Sequence, residues 1–249
     1  MPTGNRPGLF SPGNHPHRMP PFRTRRGIGY ANVVSVYPGV LPQPSLGYID
    51  VISNNVGGDH NEVWRYTSGT TAIRITKTLP INGTFRDYAV ASGVTYFYFV
   101  RAVNADGSYL ESSVTSASVT LADPWIFAVT KGASTNLSGI AYTLKAVEPQ
   151  SRPVSRVEQV LRAPTRTKPI IATGEIVTKS WAVAVVSPNL SVDDVVTLET
   201  LAALNQTLCI RDTYGRLMFG TISDMPIAYG ITSVVSLTLQ ETDYHEAVA

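Results

Sequence analysis

After residue 30, apolar stretches are short and each ends on a turn residue, and this punctuation constrains the fold more than any other feature of the chain. Glycine and proline number 19 and 17 among 249 residues, too many for long helices yet below the ~25–30% share that marks low-complexity chains. Between Tyr30 and Leu121 the interruptions leave runs of β-branched and aromatic residues: 32–37, 47–52, 62–66, 72–78, 86–90, 95–103 and 114–121. The spacing predicts seven strands in a β-sandwich. In the clearest run Tyr96, Tyr98, Val100 and Ala102 alternate with Phe97, Phe99 and Arg101, so the first set enters a core and the second stays partly exposed. Asn104-Ala105-Asp106-Gly107 then reverses the chain.

The first 29 residues differ. Pro2, Pro7, Pro12, Pro16, Pro20 and Pro21 fix φ and remove donors too often for a regular element, so the segment reads as an extended arm. Such a composition does not offset its ordering entropy in an isolated chain. Leu9, Phe10, Met19 and Phe22 nevertheless give it what a segment needs to dock along a neighbour and order on assembly. The arm is also basic. No acidic residue precedes Asp50, while Arg6, Arg18, Arg23, Arg25 and Arg26 carry charge there; the whole chain is only +2.

Ala122-Asp123-Pro124 ends the sandwich, and a second domain over 122–249 is expected to follow. Strands are predicted at 125–131, 139–147 and 175–186, with 149–168 read as a linker or long loop carrying Arg152, Arg156, Arg162, Arg166 and Lys168. Ser191 is placed to cap a helix near 191–205, with Asp193 and Asp194 in its first turn and Val195, Leu198, Leu201 and Ala202 on one face. Two strands around Thr213-Tyr214-Gly215 make a hairpin, and 233–242 turns Val235, Leu237 and Leu239 inward. One helix cannot cover so large a sheet, so a curled or split β-barrel with the helix across one side is expected. The fold class is therefore mainly β.

Reactive residue types do not cluster, which argues against an enzyme, a metal and a cofactor. His15 and His17 lie in the arm, His60 in a Gly-Gly-Asp-His-Asn turn and His245 near the end, none with Cys or carboxylate partners at ligand spacing. Cys209 sits among apolar neighbours and reads as a packed strand residue; as a single cysteine it excludes an internal disulfide. Asp193-Asp194 is explained by helix capping, and no Gly-rich phosphate loop occurs. Asn82, Asn136, Asn189 and Asn205 begin Asn-x-Ser/Thr triplets of the kind a Ser/Thr-rich chain makes by chance. The near-neutral body argues against nucleic acid, so the basic segments suit acidic protein surfaces better. No stretch has the length of a signal-peptide core or of a membrane span, and a soluble product with no membrane insertion is expected.

Two resemblances add to this reading. Residues 92–107, Ser-Gly-Val-Thr-Tyr-Phe-Tyr-Phe-Val-Arg-Ala-Val-Asn-Ala-Asp-Gly, resemble a fibronectin type III domain, which implies that Tyr96 is the corner tyrosine tying its strand to the preceding turn. The tryptophan usual in that family's second strand is absent; Ile49, Val51 or Ile52 takes its place, and Trp64 lies in the next strand.

From Lys168 onward the chain resembles the C-terminal domain of minor tail proteins of long-tailed bacteriophages, especially those infecting actinobacteria, and more distantly ring-forming distal tail proteins. The likeness rests on Lys168-Pro169-Ile170-Ile171, a strand near Trp181, the Leu/Ala-rich 198–204, Thr207-Leu-Cys-Ile-Arg-Asp212, Tyr214-Gly215-Arg216 and the closing 236–244. It implies a virion protein of the tail tip or baseplate, made in the bacterial cytoplasm, that forms a homo-oligomeric ring and contacts tube, tape-measure or hub proteins. Phe10, Phe22, Arg23, Arg25, Arg26, Arg152 and Arg156 are the expected partner contacts. The alternative expectation is a host-surface adhesion or glycan-binding module, in which the sandwich touches glycan through Trp64, Tyr66 and Tyr109, with Tyr30 beside them.

Overall fold

In the first half, the two-residue alternation folds as two antiparallel sheets laid face to face. The computed structural model describes residues 35–248 except 57, 133, 145–146, 152–153, 162–169, 188–189 and 229–232; the arm at 1–29 and Tyr30 lie outside the described residues. Eight strands build the sandwich: β1 (Ser35–Gln43), β2 (Tyr48–Val56), β3 (His60–Thr67), β4 (Ile73–Leu79), β5 (Thr84–Asp87), β6 (Tyr96–Val103), β7 (Tyr109–Glu111) and β8 (Thr115–Ala117). One sheet has the order β1-β2-β5, the other β4-β3-β6-β7 with β8 also on β6. Ile49, Val51 and Phe85 of the first sheet pack against Val63, Ile75, Tyr98, Val100 and Ala102 of the second. Ile49 and Val51 are thus the second-strand residues that enter the core, while Ile52 is half-buried.

Two expectations are corrected here. The first strand runs on to Gln43 through Pro38 and Pro42, because β1 is an edge strand and a missing donor there breaks no inner ladder. Of the strand expected at 114–121 only 115–117, β8, forms, and β7 at 109–111 is a further short strand outside the expected run. Ser112 bridges the gap between them: its N–H donates to the Val100 carbonyl (2.9 Å) and its Oγ accepts from the Val100 N–H (2.9 Å).

The second half comprises β9 (Trp125–Val129), β10 (Leu137–Thr143), β11 (Val147–Ser151), β12 (Val154–Leu161), β13 (Ile170–Ser187), α1 (Val192–Ala203), β14 (Leu208–Arg211), β15 (Leu217–Asp224), β16 (Ile227–Ala228) and β17 (Ser233–Glu241). Its sheet has the order β10-β9-β14-β15-β17-β13-β11, with β12 on β13 and β16 on β17. Residues from β10 at one edge to Trp181 of β13 share one core with Leu198 and Leu201 of α1, so the sheet curls around a single apolar centre that the helix covers. Each of those leucines is fully buried, worth about 1.5–3 kcal/mol apiece. The helix starts where capping dictates: the Asp194 N–H donates to Ser191 Oγ (3.1 Å) while the Asp194 carboxylate accepts from the Ser191 N–H (2.9 Å).

The described residues of the segment at 149–168, expected to be a linker or long loop, are instead strand, at 149–151 and 154–161. β11 tolerates Pro149 because it ends the sheet, with a register shift between Val147 and Gln150. The strands Trp125–Val129 and Leu208–Arg211 do not alternate, because both of their faces are covered. Ile126 and Ile210 face the helix-side core, while Phe127 and Cys209 join a second cluster with Tyr88 of the sandwich.

The corner of the sandwich is closed by Tyr96, whose hydroxyl accepts from the buried Ala91 N–H at 2.9 Å. Tyr96→Phe should strand that amide and lower stability by ~1–3 kcal/mol, read as a shift of the urea midpoint at unchanged slope. A midpoint unmoved by the substitution would show that the bond carries no weight.

Candidate functional site

Charge placed at inward positions of the sandwich defines the first notable site. On β3 the inward residues are Asn61, Val63 and Arg65; on β5 they are Phe85 and Asp87. The Arg65 and Asp87 side chains are 5% and 0% exposed. Asp87 Oδ2 accepts from Arg65 Nη1 (2.7 Å) and the Tyr98 hydroxyl (3.0 Å). Its Oδ1 accepts from the Ala89 N–H (3.1 Å) and from Asn136 Nδ2 (2.7 Å) of the second module. Asn136 Oδ1 in turn accepts from the Tyr88 N–H at 2.7 Å. Asn136 therefore locks two modules together, and the asparagine of its Asn-x-Ser triplet is buried rather than displayed.

The segment after β17 ties the modules again. Tyr244 packs on Phe219 (centroids 4.8 Å), the Glu246 carboxylate accepts from Arg65 Nη2 at 2.5 Å, and the Val248 N–H donates to the Arg74 carbonyl at 2.8 Å. Arg211, from β14, donates through Nη1 to the carbonyls of Tyr88 (2.5 Å) and Val90 (3.3 Å). Gly47 makes room for it: at φ +69°, a Cβ there would stand 2.6 Å from Arg211 Nη2. Burial opposes the charge on Arg65, but Asp87 and Glu246 outweigh it and raise its pKa well above the ordinary range. Burial lifts the Glu246 carboxyl above its usual 4.5; Arg65 pulls it back, and Asp87 pushes the same way as burial. These residues are positioned to hold the modules together.

The second site is the outer face of the β4-β3-β6-β7 sheet. Register sets Glu62 opposite Arg101, Trp64 opposite Phe99 and Tyr66 opposite Phe97. Trp64 and Phe99 stack at 5.8 Å, Tyr66 and Phe97 at 5.0 Å. The Arg101 guanidinium lies 4.2 Å from the Trp64 ring centroid and 4.5 Å from that of Tyr109, and Arg74 lies 6.0 Å from Trp64. Glu62 accepts from Trp64 Nε1 (3.1 Å) and from Arg74 Nη1. Glu62, Trp64, Arg74, Arg101, Tyr109 and Val248 line an open groove of about 540 Å³.

Of the expected glycan contacts, Trp64 and Tyr109 come together at this groove. Tyr66 lies farther along the sheet, stacked on Phe97. Arg101 was not singled out by sequence, although its outward position in the β6 alternation was plain. Phe10, Phe22, Arg23, Arg25, Arg26 and Arg152 lie outside the described residues, as do His15 and His17. Arg156 lies in β12, paired in register with Val177. Cys209 is fully buried, and burial pushes its thiol up. His60 stands 3.3 Å from Asp59 and His245 3.1 Å from Asp243. Among the described residues no group of three or more His, Cys, Asp or Glu is arranged to hold a metal, and no helix is long and apolar enough to cross a membrane. No protein-family model matches the sequence, and comparison with curated proteins found no match.

Arg65→Met should leave the Asp87 and Glu246 carboxylates buried without their cation and cost roughly 3–5 kcal/mol in chemical unfolding at pH 7; a loss under 1 kcal/mol would mean the pair behaves as an exposed one. Glu246 gives a separate pH signature. Below pH 4.5 its carboxyl is protonated folded and unfolded alike; above that, the unfolded chain releases the proton first. The stability of Glu246→Gln relative to the native chain should therefore rise with pH above 4.5 and level off once the folded carboxyl has ionised. A difference that falls over that window would mean the carboxyl is depressed instead.

Proposed function

We propose that the chain is a structural component of the tail tip of a long-tailed bacteriophage, a subunit that joins a ring through its second module and contacts tube, tape-measure or hub proteins. The observation that carries the reading is a ribbon built from β11, β12 and β13. β11 and then β12 run antiparallel along β13, with Ser151 opposite Ala182 and Val154 opposite Lys179. β17 supports β13 only from Ser180 to Ser187. Beyond Ser180 the ribbon continues as two strands, and among the described residues β12 pairs with β13 alone.

A two-stranded ribbon is marginal by itself in water, and its free edge presents unpaired N–H and C=O groups to any strand that meets it. A neighbouring subunit that supplies a strand or a sheet face completes it. When that neighbour is another copy that offers a different surface, the contact is head-to-tail and closes into a ring if the rotation allows. The ribbon accounts for assembly; the phage tail comes from the resemblance of 198–204, 207–212 and 236–244 to tail proteins.

Gold-labelled antibody raised against the chain, applied to purified particles of the phage that encodes it, should mark the tail tip in electron micrographs. Label on the head or along the tube, or particles that carry none of the chain, would overturn the assignment.

A further inference from the structure

We infer that the groove on the outer face of the sandwich is a binding site for a neutral saccharide, with Tyr109 as the stacking ring and Arg101 as the hydrogen-bonding arm. The inference turns on how Arg101 is held. Its guanidinium is flanked by Trp64 at 4.2 Å and Tyr109 at 4.5 Å, and its Nε donates to Glu111 at 2.9 Å. Among the described residues its two terminal amino groups carry no hydrogen bond, and Arg101 lines the groove. A planar donor fixed in this way loses little freedom when it binds a ligand.

Tyr109 supplies the apolar element: it is 55% exposed on β7, an edge strand. Trp64 is a support rather than a platform: it is half-buried, Arg74 as well as Arg101 lies over its ring and its Nε1 is committed to Glu62, whereas Tyr109 meets Arg101 alone and stays exposed. About 540 Å³ is the size of an ordinary small-ligand cleft. Charge then selects the ligand class. Arg74 and Arg101 are matched by Glu62 and Glu111, so a polyanion meets as much repulsion as attraction. A neutral sugar carries hydroxyls that both donate and accept, which suits a site offering guanidinium donors beside carboxylate acceptors. Its apolar ring face suits Tyr109.

The site is independent of the tail assignment: loss of saccharide binding would leave the gold label where it is, and a misplaced label would leave binding intact. The test is a printed array of neutral and acidic saccharides probed with the full chain, followed by titration calorimetry with the best neutral oligosaccharide and with heparin hexasaccharide. Neutral saccharides should bind, heparin should not compete, and Tyr109→Ala should weaken binding at least tenfold while Tyr109→Phe retains it. Arg101→Lys, which keeps the charge but loses the planar donor pair, should weaken it several-fold, with the native circular dichroism of each variant confirming its fold. Absence of any neutral ligand, preference for heparin or for peptide, or equal affinity in Tyr109→Ala would each overturn the inference.

Discussion

The Asp87 carboxylate is the point at which the two halves become one body. It is fully buried and receives donors from a backbone amide, a tyrosine, an arginine and the asparagine of the neighbouring module. A buried carboxylate is tolerable only with its lone pairs satisfied and a cation nearby, so the positions of Arg65, Tyr98 and Asn136 follow from it. Glu246 adds a second negative group to the same arginine. Burial raises the Glu246 carboxyl against the pull of Arg65, and the neighbouring Asp87 anion adds to the rise.

This junction explains the otherwise odd strands of the second module. β9 and β14 are apolar without alternation because their outer faces press against the sandwich at Tyr88 and their inner faces meet the helix-side core. Arg211 ends one of these strands and reaches carbonyls of the sandwich that no sheet ladder uses. Packing and charge thus converge on the loop that follows β5.

What the sequence revealed depended on how locally each feature was encoded. The inward set of β6, the Ser191 cap and the Val235-Leu237-Leu239 stripe are short-range patterns, and the structure has all three. The strands at 147–161 escaped because Pro149 and a run of arginines suggest solvated loop, and only position at a sheet edge makes that proline harmless. The Asp87 cluster escaped for a different reason: its partners stand 22, 49 and 181 residues apart or bonded to one another, and no periodicity links them. An Arg and an Asp at inward positions of apolar strands were the only hint. On the outer face, Trp64 and Tyr66 were visible as aromatic residues, but cross-strand register decides that arginine covers the first and phenylalanine stacks on the second.

The crossing of Thr242–Val248 back to the sandwich bears on the order in which the molecule matures. A ribosome releases the sandwich first, yet the second anion that Arg65 holds arrives 181 residues later. Closing so long a loop is slow, since its entropy is lost before any contact rewards it. Until 242–248 returns, the sandwich therefore holds Arg65 through Asp87 and the Ala89 carbonyl alone, with Nη2 left to water and the Arg74 carbonyl of β4 without its Val248 bond.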